Sequence, residues 1–118
     1  MPMLIRKITP AELYPVRSHV LRPGLPVEAS HYPGDNKPTT LHLGLFIDDV
    51  LVSTASFFKE NHPKLSHLPA PQYRLRGMAT IESHRNQGLG AKLLTDALNE
   101  LPEIGCRTLW FNARVAAK

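Results

Sequence analysis

A glycine-rich turn joins a strand-like segment to an amphipathic helix in the second half of this chain. The strand-like segment covers residues 73–80 and has Gly77 at its centre, where a β-bulge is expected. The turn has the sequence Arg85-Asn-Gln-Gly-Leu-Gly-Ala91. Apolar or small residues then recur at the spacing of one helix face, namely Gly90, Leu93, Leu94, Ala97, Leu98 and Leu101. This pattern predicts a helix that begins directly after a bent strand.

The two glycines of the turn predict an anion-binding site. Gly88 and Gly90 have no β-carbon at the point where the helix begins, so an anion can reach backbone N–H groups that lack an intrahelical acceptor. The helix dipole and the charge of Arg85 add to the attraction. The segment lacks the third glycine of the dinucleotide fingerprint and the Gly-Lys-Ser/Thr of the Walker motif. We therefore expect another kind of pyrophosphate site, with the alternative that the glycines only permit a tight connection.

The first third of the chain predicts a strand, a helix and a loop. Residues 3–9 alternate apolar and basic side chains, and Thr9-Pro-Ala-Glu12 then forms a capping box with proline at the first helical position. The helix is expected over residues 10–21, although Pro15 could shift its start. The four prolines and two glycines of residues 22–38 predict an ordered loop.

A β-hairpin and a last strand complete the predicted elements. Two β-rich runs cover residues 40–47 and 50–58, and the acidic turn Asp48-Asp49 joins them. Residues 108–112, near the end of the chain, have the composition of another strand. The alternation of these strands with helices predicts a mixed α and β domain.

Length and composition favour a single cytoplasmic domain over residues 1–118. A chain of 118 residues buries one core, and no apolar run reaches the roughly 20 residues that a membrane span needs. The amino terminus lacks a signal-peptide pattern, and the lone Cys106 excludes an intrachain disulfide. The net charge of +4 is scattered and favours an anionic small molecule as much as nucleic acid. Because neither a recognition helix nor an aromatic-interleaved basic strand is found, we expect no nucleic-acid partner.

The residues around the turn resemble the GCN5-related N-acetyltransferases. Their coenzyme A motif is Arg or Gln, two residues, Gly, one residue, and Gly or Ala, and it is matched by Arg85-Asn-Gln-Gly-Leu-Gly90. Arg76-Gly-Met-Ala-Thr80 is similar to the bulged fourth strand of that family, and Leu109-Trp-Phe-Asn-Ala-Arg114 is similar to its fifth strand. The resemblance implies an α/β fold of the α+β type, with a mixed, mainly antiparallel sheet and helices on both faces.

The resemblance also implies an activity and a site. The family moves an acetyl group from acetyl-CoA, its cosubstrate, to a primary amine of a small molecule or protein by direct attack in a ternary complex. By position in the motif, the backbone of Met78 and Thr80 would pair with the pantetheine arm, and the N–H of Met78 would be the oxyanion donor. The other cofactor-binding residues implied by the motif are Arg85, Gln87, Gly88, Leu89, Gly90, Ala91 and Asn112.

The chain departs from the family pattern after the fifth strand. Family members normally continue with a helix and two more strands, so we interpret this chain as a shortened member that lacks those elements. The tyrosine that often protonates the leaving thiolate has no counterpart, and a non-catalytic acyl-CoA-binding module is therefore the alternative function. An open apolar edge on the last strand predicts a homodimer that buries Trp110 or Phe111.

The sequence assigns no general base and no metal ligand. Gln72, Tyr73 and Arg74 stand where some relatives carry a glutamate, while Glu82 and His84 are interpreted as surface residues. The histidines show no metal-ligand spacing, so no metal is expected.

Three side chains are candidates for the acceptor side of the site. His42, in the hairpin, is the one histidine that we consider as lining it. Arg74 and Arg76 lie on one face of their strand and could attract an anionic substrate, although an exposed sheet face explains them equally well. The acceptor is expected to depend on the loops of residues 22–38 and 61–71.

Overall fold

The computed structural model describes residues 2–112 of the chain. Its two α-helices in this range are α1, Pro10–Leu21, and α2, Leu89–Glu100. The strands in the same range are β1 Met3–Lys7, β2 Leu41–Ile47, β3 Val50–Lys59, β4 Gln72–Thr80 and β5 Thr108–Trp110. Single 3₁₀ turns cover Val27–Ser30, Glu82–His84 and Leu101–Ile104.

The strands β1 to β5 form one sheet with the spatial order β1-β2-β3-β4-β5. Neighbouring strands are antiparallel, except that β4 and β5 are parallel. Leu43 and Leu45 of β2 belong to a core cluster with Leu93 of α2. His42 points to the opposite face, where Ser56 joins it to Arg17 of α1. The expected mixed, mainly antiparallel sheet with helices on both faces is therefore confirmed.

Helix α1 begins with the predicted capping box. The Thr9 hydroxyl accepts from the Glu12 N–H at 3.2 Å, and the Glu12 carboxylate accepts from the Thr9 N–H at 2.9 Å. Arg6 binds the same carboxylate at 2.7 Å, and mainly this hydrogen bond lowers the pKa of Glu12 to about 2. Pro15 does not shift the helix start, because the cap fixes the first turn and the proline removes only one backbone donor.

The hairpin between β2 and β3 turns at Asp48 and Asp49. Both residues have a positive φ, 51° and 68°. Two such residues in sequence form a type I′ turn, whose twist matches that of paired antiparallel strands. Aspartate adopts this region more readily than most residues, which explains why the short acidic turn can close the hairpin.

Strand β4 carries the predicted bulge at Gly77. On both sides of the bulge β4 pairs regularly with β3, but Gly77 and Met78 together stand opposite Ala55. Gly77 has a φ of +73°, and a β-carbon there would lie 3.0 Å from Cε2 of Tyr32. Glycine is therefore required by the backbone conformation and by the close approach of the tyrosine ring.

The sequence prediction is wrong about one buried residue of α2 and about the end of β5. The helical spacing places Leu98 on the buried face of α2, but 55% of its surface is exposed. The buried residues of α2 follow an i+4 series, Leu89, Leu93 and Ala97, and this turns Leu98 to the flank of the helix. The last strand ends at Trp110 instead of residue 112, because its pairing with β4 stops there.

Candidate active site

The parallel strands β4 and β5 separate after three paired residues. Residues 72–74 pair with residues 108–110, and no strand within residues 2–112 pairs with that edge of β4 from Leu75 onward. A cavity of about 520 Å³, here named the cleft pocket, lies in the gap. It is lined by residues 74–78 of β4, by Phe111 and Asn112 beyond β5, and by Leu21, Arg22 and Tyr32 on the side of α1.

The start of α2 forms a second feature, here named the anion cradle. The backbone N–H groups of residues 86–91 have no acceptor within residues 2–112. Asn86 and Gly88 have positive φ values of 62° and 72°, and such turns direct successive N–H groups toward one point. The positive end of the helix dipole lies at the same place. These donors can hold a pyrophosphate without any side-chain ligand.

Gly88 and Gly90 have different surroundings in the cradle. A β-carbon at Gly88 would meet no atom within 4 Å and would project into open space. A β-carbon at Gly90 would lie 3.0 Å from Sδ of Met78. Gly88 therefore keeps the cradle accessible, whereas Gly90 lets α2 pack closely against the bulge of β4.

The other candidate cofactor residues surround the bulge and the cradle. Arg85 donates from Nε to the Thr80 carbonyl at 3.2 Å, which holds the guanidinium near the end of β4. The hydroxyls of Thr80 and Ser53 are hydrogen-bonded at 2.7 Å. The side chain of Leu89 is buried in the core, so this residue offers only its N–H. Asn112 is exposed on the other side of the cleft pocket.

A buried polar network lies on the α1 face of the sheet and consists of Arg17, Asp35, His42 and Ser56. Arg17 is fully buried and donates to Asp35 Oδ2 at 2.8 Å and to Ser56 Oγ at 2.9 Å. His42 bonds Ser56 Oγ through Nδ1 at 2.7 Å and the Asp35 carbonyl through Nε2 at 2.9 Å. Sequence reasoning missed this network. Its one signal is the place of Arg17 on the apolar face of α1, four residues after Leu13.

The network holds Tyr32 against the bulge. The Tyr32 N–H donates to Asp35 Oδ2 at 2.8 Å, and the guanidinium carbon of Arg17 lies 4.0 Å from the centroid of the Tyr32 ring. The missing β-carbon of Gly77 leaves room for this ring and for Nε of Arg17, which has no acceptor among the described residues. One wall of the cleft pocket is therefore positioned by buried charges.

The hydrogen bonds of the network fix the tautomer of the neutral His42 ring. The Asp35 carbonyl can only accept, so His42 donates from Nε2, and in the neutral ring Nδ1 accepts from the Ser56 hydroxyl. Burial lowers the pKa of His42 below its ordinary value of 6.5, and the hydrogen bond and charge of Asp35 offset only part of that effect. Burial also acts to raise the pKa of Asp35, but the hydrogen bonds from Arg17 and from the Tyr32 N–H outweigh it and lower this pKa.

The lowered pKa of His42 predicts a loss of stability in mild acid. The unfolded chain takes up a proton near pH 6.5 that the folded chain takes up only at lower pH, so the free energy of unfolding falls as the pH drops through 6.5. Urea unfolding at about pH 7.5 and about pH 5.5 should show this loss. The loss of unfolding free energy between these two pH values should be smaller in His42→Gln. An equal loss in both proteins would show that His42 is not its cause.

Other candidate residues lie outside the cleft pocket. His42 is buried in the network and does not line the pocket, which corrects the expectation from the sequence. Glu82 is exposed and lies 2.8 Å from His19, which ties the turn after β4 to α1. Cys106 is half-buried, and burial raises the pKa of its thiol, so little nucleophilic thiolate forms at neutral pH.

Residues 2–112 contain neither a cluster of metal ligands nor a helix suited to a bilayer. No group of three or more His, Cys, Asp or Glu side chains in this range could hold a metal ion. None of the helices in the same range has both the length and the apolarity that crossing a bilayer requires.

Comparison with known proteins assigns the chain to a family. The sequence profile of the Acetyltransferase (GNAT) family matches residues 10–117. YitI of Bacillus subtilis (strain 168), an uncharacterized N-acetyltransferase, is 39% identical over 110 residues, which are 93% of this chain and 72% of that protein. The chain therefore belongs to the GNAT family of acetyltransferases, and the resemblance seen around Gly88 is confirmed.

Solved structures of acetyltransferases share the fold. AAC(6')-Iy in complex with a bisubstrate analog of coenzyme A has a TM-score of 0.76 at 18% identity, over 97% of this chain and 81% of that chain. A Clostridium acetobutylicum protein solved with acetyl-CoA has a TM-score of 0.69 at 16% identity, over 95% and 81% of the two chains. The ribosomal-protein-alanine N-acetyltransferase of Brucella melitensis biovar Abortus 2308 has a TM-score of 0.69 at 18% identity, over 96% and 81%.

Proposed function

We propose that this protein is an N-acetyltransferase that moves an acetyl group from acetyl-CoA to a primary amine of a small molecule or protein. The observation that carries the proposal is the anion cradle of residues 86–91 beside the unpaired edge of β4. The cradle offers donors for a pyrophosphate, and the strand edge offers donors and acceptors for an extended amide chain. We also propose a cytoplasmic location, where a lone thiol such as that of Cys106 stays reduced.

The residues present fit acetyl-CoA as the cosubstrate. The N–H groups of Gln87, Gly88, Leu89, Gly90 and Ala91 would bind its pyrophosphate. Arg85 would add a positive charge beside them. The backbone of Met78 and Thr80 would bind the pantetheine arm as an added strand, and Asn112 would donate to it from across the gap. When bound, acetyl-CoA supplies a thioester whose carbonyl carbon accepts a nucleophile.

The proposed reaction is direct attack within a ternary complex. A C–N bond forms as the C–S bond breaks, the amine gives up one proton, and the departing thiolate takes up one. The N–H of Met78 lies at the bulge, where it would donate to the carbonyl oxygen as negative charge develops. Tight packing of Gly90 against the Met78 side chain keeps this part of β4 in place.

Direct attack predicts that the only cysteine of the chain, Cys106, is dispensable. Cys106→Ala should release coenzyme A thiol within about twofold of the parent rate when acetyl-CoA and an amine are supplied, because the thiol is half-buried and protonated. The thiol-release assay with a panel of amines also tests the activity itself. Recovery of an acetylated Cys106 by mass spectrometry would contradict direct attack.

A non-catalytic acyl-CoA-binding module is the second candidate function. One observation favours it: the titratable side chains that line the cleft pocket within residues 2–112 are arginines and a tyrosine, so no carboxylate or neutral histidine lies there as a base. Calorimetry with acetyl-CoA and the thiol-release assay separate the two functions. Binding of acetyl-CoA with no release of coenzyme A thiol in the presence of any amine of the panel would support the module.

We also propose that the protein forms a homodimer through β5. Among the described residues, β5 pairs only with β4, and 52% of the neighbouring Phe111 is exposed. Trp110 is already buried in its own chain, where Nε1 donates to the Glu60 carbonyl at 2.8 Å, so Phe111 is the apolar group left for a partner.

The dimer is tested by sedimentation at micromolar concentration. Phe111→Glu should dissociate it, since the substitution places a charge in the contact. Val50→Glu, at another exposed apolar residue, should not. A parent protein that sediments as a monomer would contradict the proposal.

A further inference from the structure

Three arginines line the cleft pocket. They are Arg22, at the end of α1, and Arg74 and Arg76 of β4, and no Asp or Glu lines the pocket within residues 2–112. Arg22 and Arg76 have no carboxylate partner among the described residues, while Arg74 reaches only the half-exposed Glu60, at 3.4 Å. Residues 113–118 contain no acidic side chain either. The pocket therefore holds an excess of positive charge.

The sheet separates these arginines from the anion cradle. Arg76 stands opposite Ser56 in the register of β3 and β4, and paired residues of antiparallel strands share a face. Ser56 directs its hydroxyl to Arg17 of α1, so Arg76 lies on the α1 face. The cradle belongs to α2, which packs on the opposite face. The phosphates of the proposed cosubstrate thus have donors of their own and do not account for the charge of Arg76.

Arg76 is held in place by stacking. Its guanidinium carbon lies 4.3 Å from the centroid of the Tyr32 ring. The ring is itself fixed by Asp35 and Arg17 of the buried polar network. A guanidinium held in this way offers a fork of N–H donors that matches a carboxylate or phosphate and loses little entropy on binding one.

We infer that the acceptor amine carries an anionic group, a carboxylate or a phosphate, which Arg76 binds while the amine lies at the bulge of Gly77 and Met78. Arg22 provides a second positive charge on the same pocket. The inference rests on the proposed function and adds the class of its acceptor. A cavity of about 520 Å³ accommodates a small molecule of this kind.

The test compares amines that differ in the charge at their far end. β-Alanine carries a carboxylate, phosphoethanolamine a phosphate, propylamine and ethanolamine no charge, and 1,3-diaminopropane a positive charge. The value of kcat/KM should be at least about tenfold higher for the anionic amines than for the neutral ones, and lowest for the diamine. Comparison of kcat/KM for β-alanine with kcat/KM for phosphoethanolamine shows whether the pocket prefers a carboxylate or a phosphate. Equal values across the panel, or a preference for the diamine, would overturn the inference.

Substitution of Arg76 tests whether this residue causes the preference for anionic amines. Arg76→Gln should raise KM for the anionic amines by at least about tenfold and leave the neutral amines within about twofold. Arg76→Lys should recover part of the loss, because it restores the charge without the fork. Arg107→Gln removes an exposed arginine that does not line the cleft pocket and should change nothing. If Arg76→Gln weakens acetyl-CoA binding and leaves the KM for amines unchanged, Arg76 serves the cosubstrate and the inference is wrong.

A binding measurement separates failure of this inference from failure of the proposed function. Calorimetry with acetyl-CoA tests the function alone, and NMR titration of the backbone N–H groups of Gly77 and Met78 with β-alanine, phosphoethanolamine and propylamine tests the pocket without turnover. Selective shifts with either anionic amine, lost in Arg76→Gln, would show that Arg76 binds the anionic group, and in a protein that also binds acetyl-CoA they would support the inference. The same shifts in a protein that binds no acetyl-CoA would overturn the proposed function and leave only the anion site. Absence of such shifts in a protein that binds acetyl-CoA would overturn the inference and leave the function standing.

Discussion

Gly88→Val is expected to weaken the binding of acetyl-CoA by more than about tenfold. The β-carbon of residue 88 would project into the open space of the anion cradle, next to N–H groups of residues 86–91 that have no acceptor among residues 2–112. A branched side chain there occupies the volume that the pyrophosphate needs. Isothermal titration calorimetry with acetyl-CoA measures the effect directly.

The matched control for this prediction is Gly105→Val. Gly105 follows α2, has a φ of +98° and, like Gly88, would place a β-carbon in open space. Both substitutions force a branched residue into the left-handed region, which costs about 1–2 kcal/mol of stability. Only Gly88→Val should change acetyl-CoA binding. Parent-like binding by Gly88→Val would show that the cradle is not the pyrophosphate site, and equal weakening in both variants would assign the effect to strain.

The features that the sequence predicted are those determined by a few neighbouring residues. The capping box at Thr9 and Glu12 and the turn at Asp48 and Asp49 depend on side chains and backbone preferences within a single turn. The bulge at Gly77 follows from a glycine inside a strand pattern. The candidate cofactor site is also built from a local feature, the glycine-rich turn at the start of α2. Its backbone donors could therefore be predicted from the sequence without the fold.

The features that the sequence did not predict depend on long-range contacts. The buried polar network joins Arg17 of α1, Asp35 of a loop, and His42 and Ser56 of two strands. Only Arg17 gives a signal, from its place on the apolar face of α1. The other three are polar residues of a loop and of strands, where such residues are mostly exposed, so their sequence does not mark them as buried partners. The exposure of Leu98 also depends on long-range contacts, because the sheet under α2 determines which face of the helix is covered.

The bulge of β4 connects the two halves of the candidate site. On the α2 face the missing β-carbon of Gly90 brings the anion cradle against Met78, and on the α1 face the missing β-carbon of Gly77 brings Tyr32 against the bulge. Under the proposed function, donor and acceptor would therefore approach the same two residues of β4 from opposite faces of the sheet. On the α1 face the buried polar network positions Tyr32 beside the bulge through Asp35 and Arg17.

Arg17→Met is expected to lower the free energy of unfolding by about 3–5 kcal/mol, because it leaves the carboxylate of Asp35 buried without its cationic partner. The substitution also removes the donors to the Ser30 carbonyl and the Ser56 hydroxyl. A small domain has only about 5–15 kcal/mol of stability, so much of it would be lost. Urea unfolding monitored by circular dichroism measures the change.

Two further variants show whether the loss comes from the buried charge. Arg6→Met removes a cation from the exposed pair with Glu12 and should have a much smaller effect, since water screens that pair. The double variant Arg17→Met/Asp35→Asn should recover part of the stability, because the carboxylate left without a partner is gone. A loss for Arg17→Met as small as that for Arg6→Met would contradict the assignment. In that case the position of Tyr32 beside Gly77 would need another cause, because Arg17 and Asp35 are what hold the ring there.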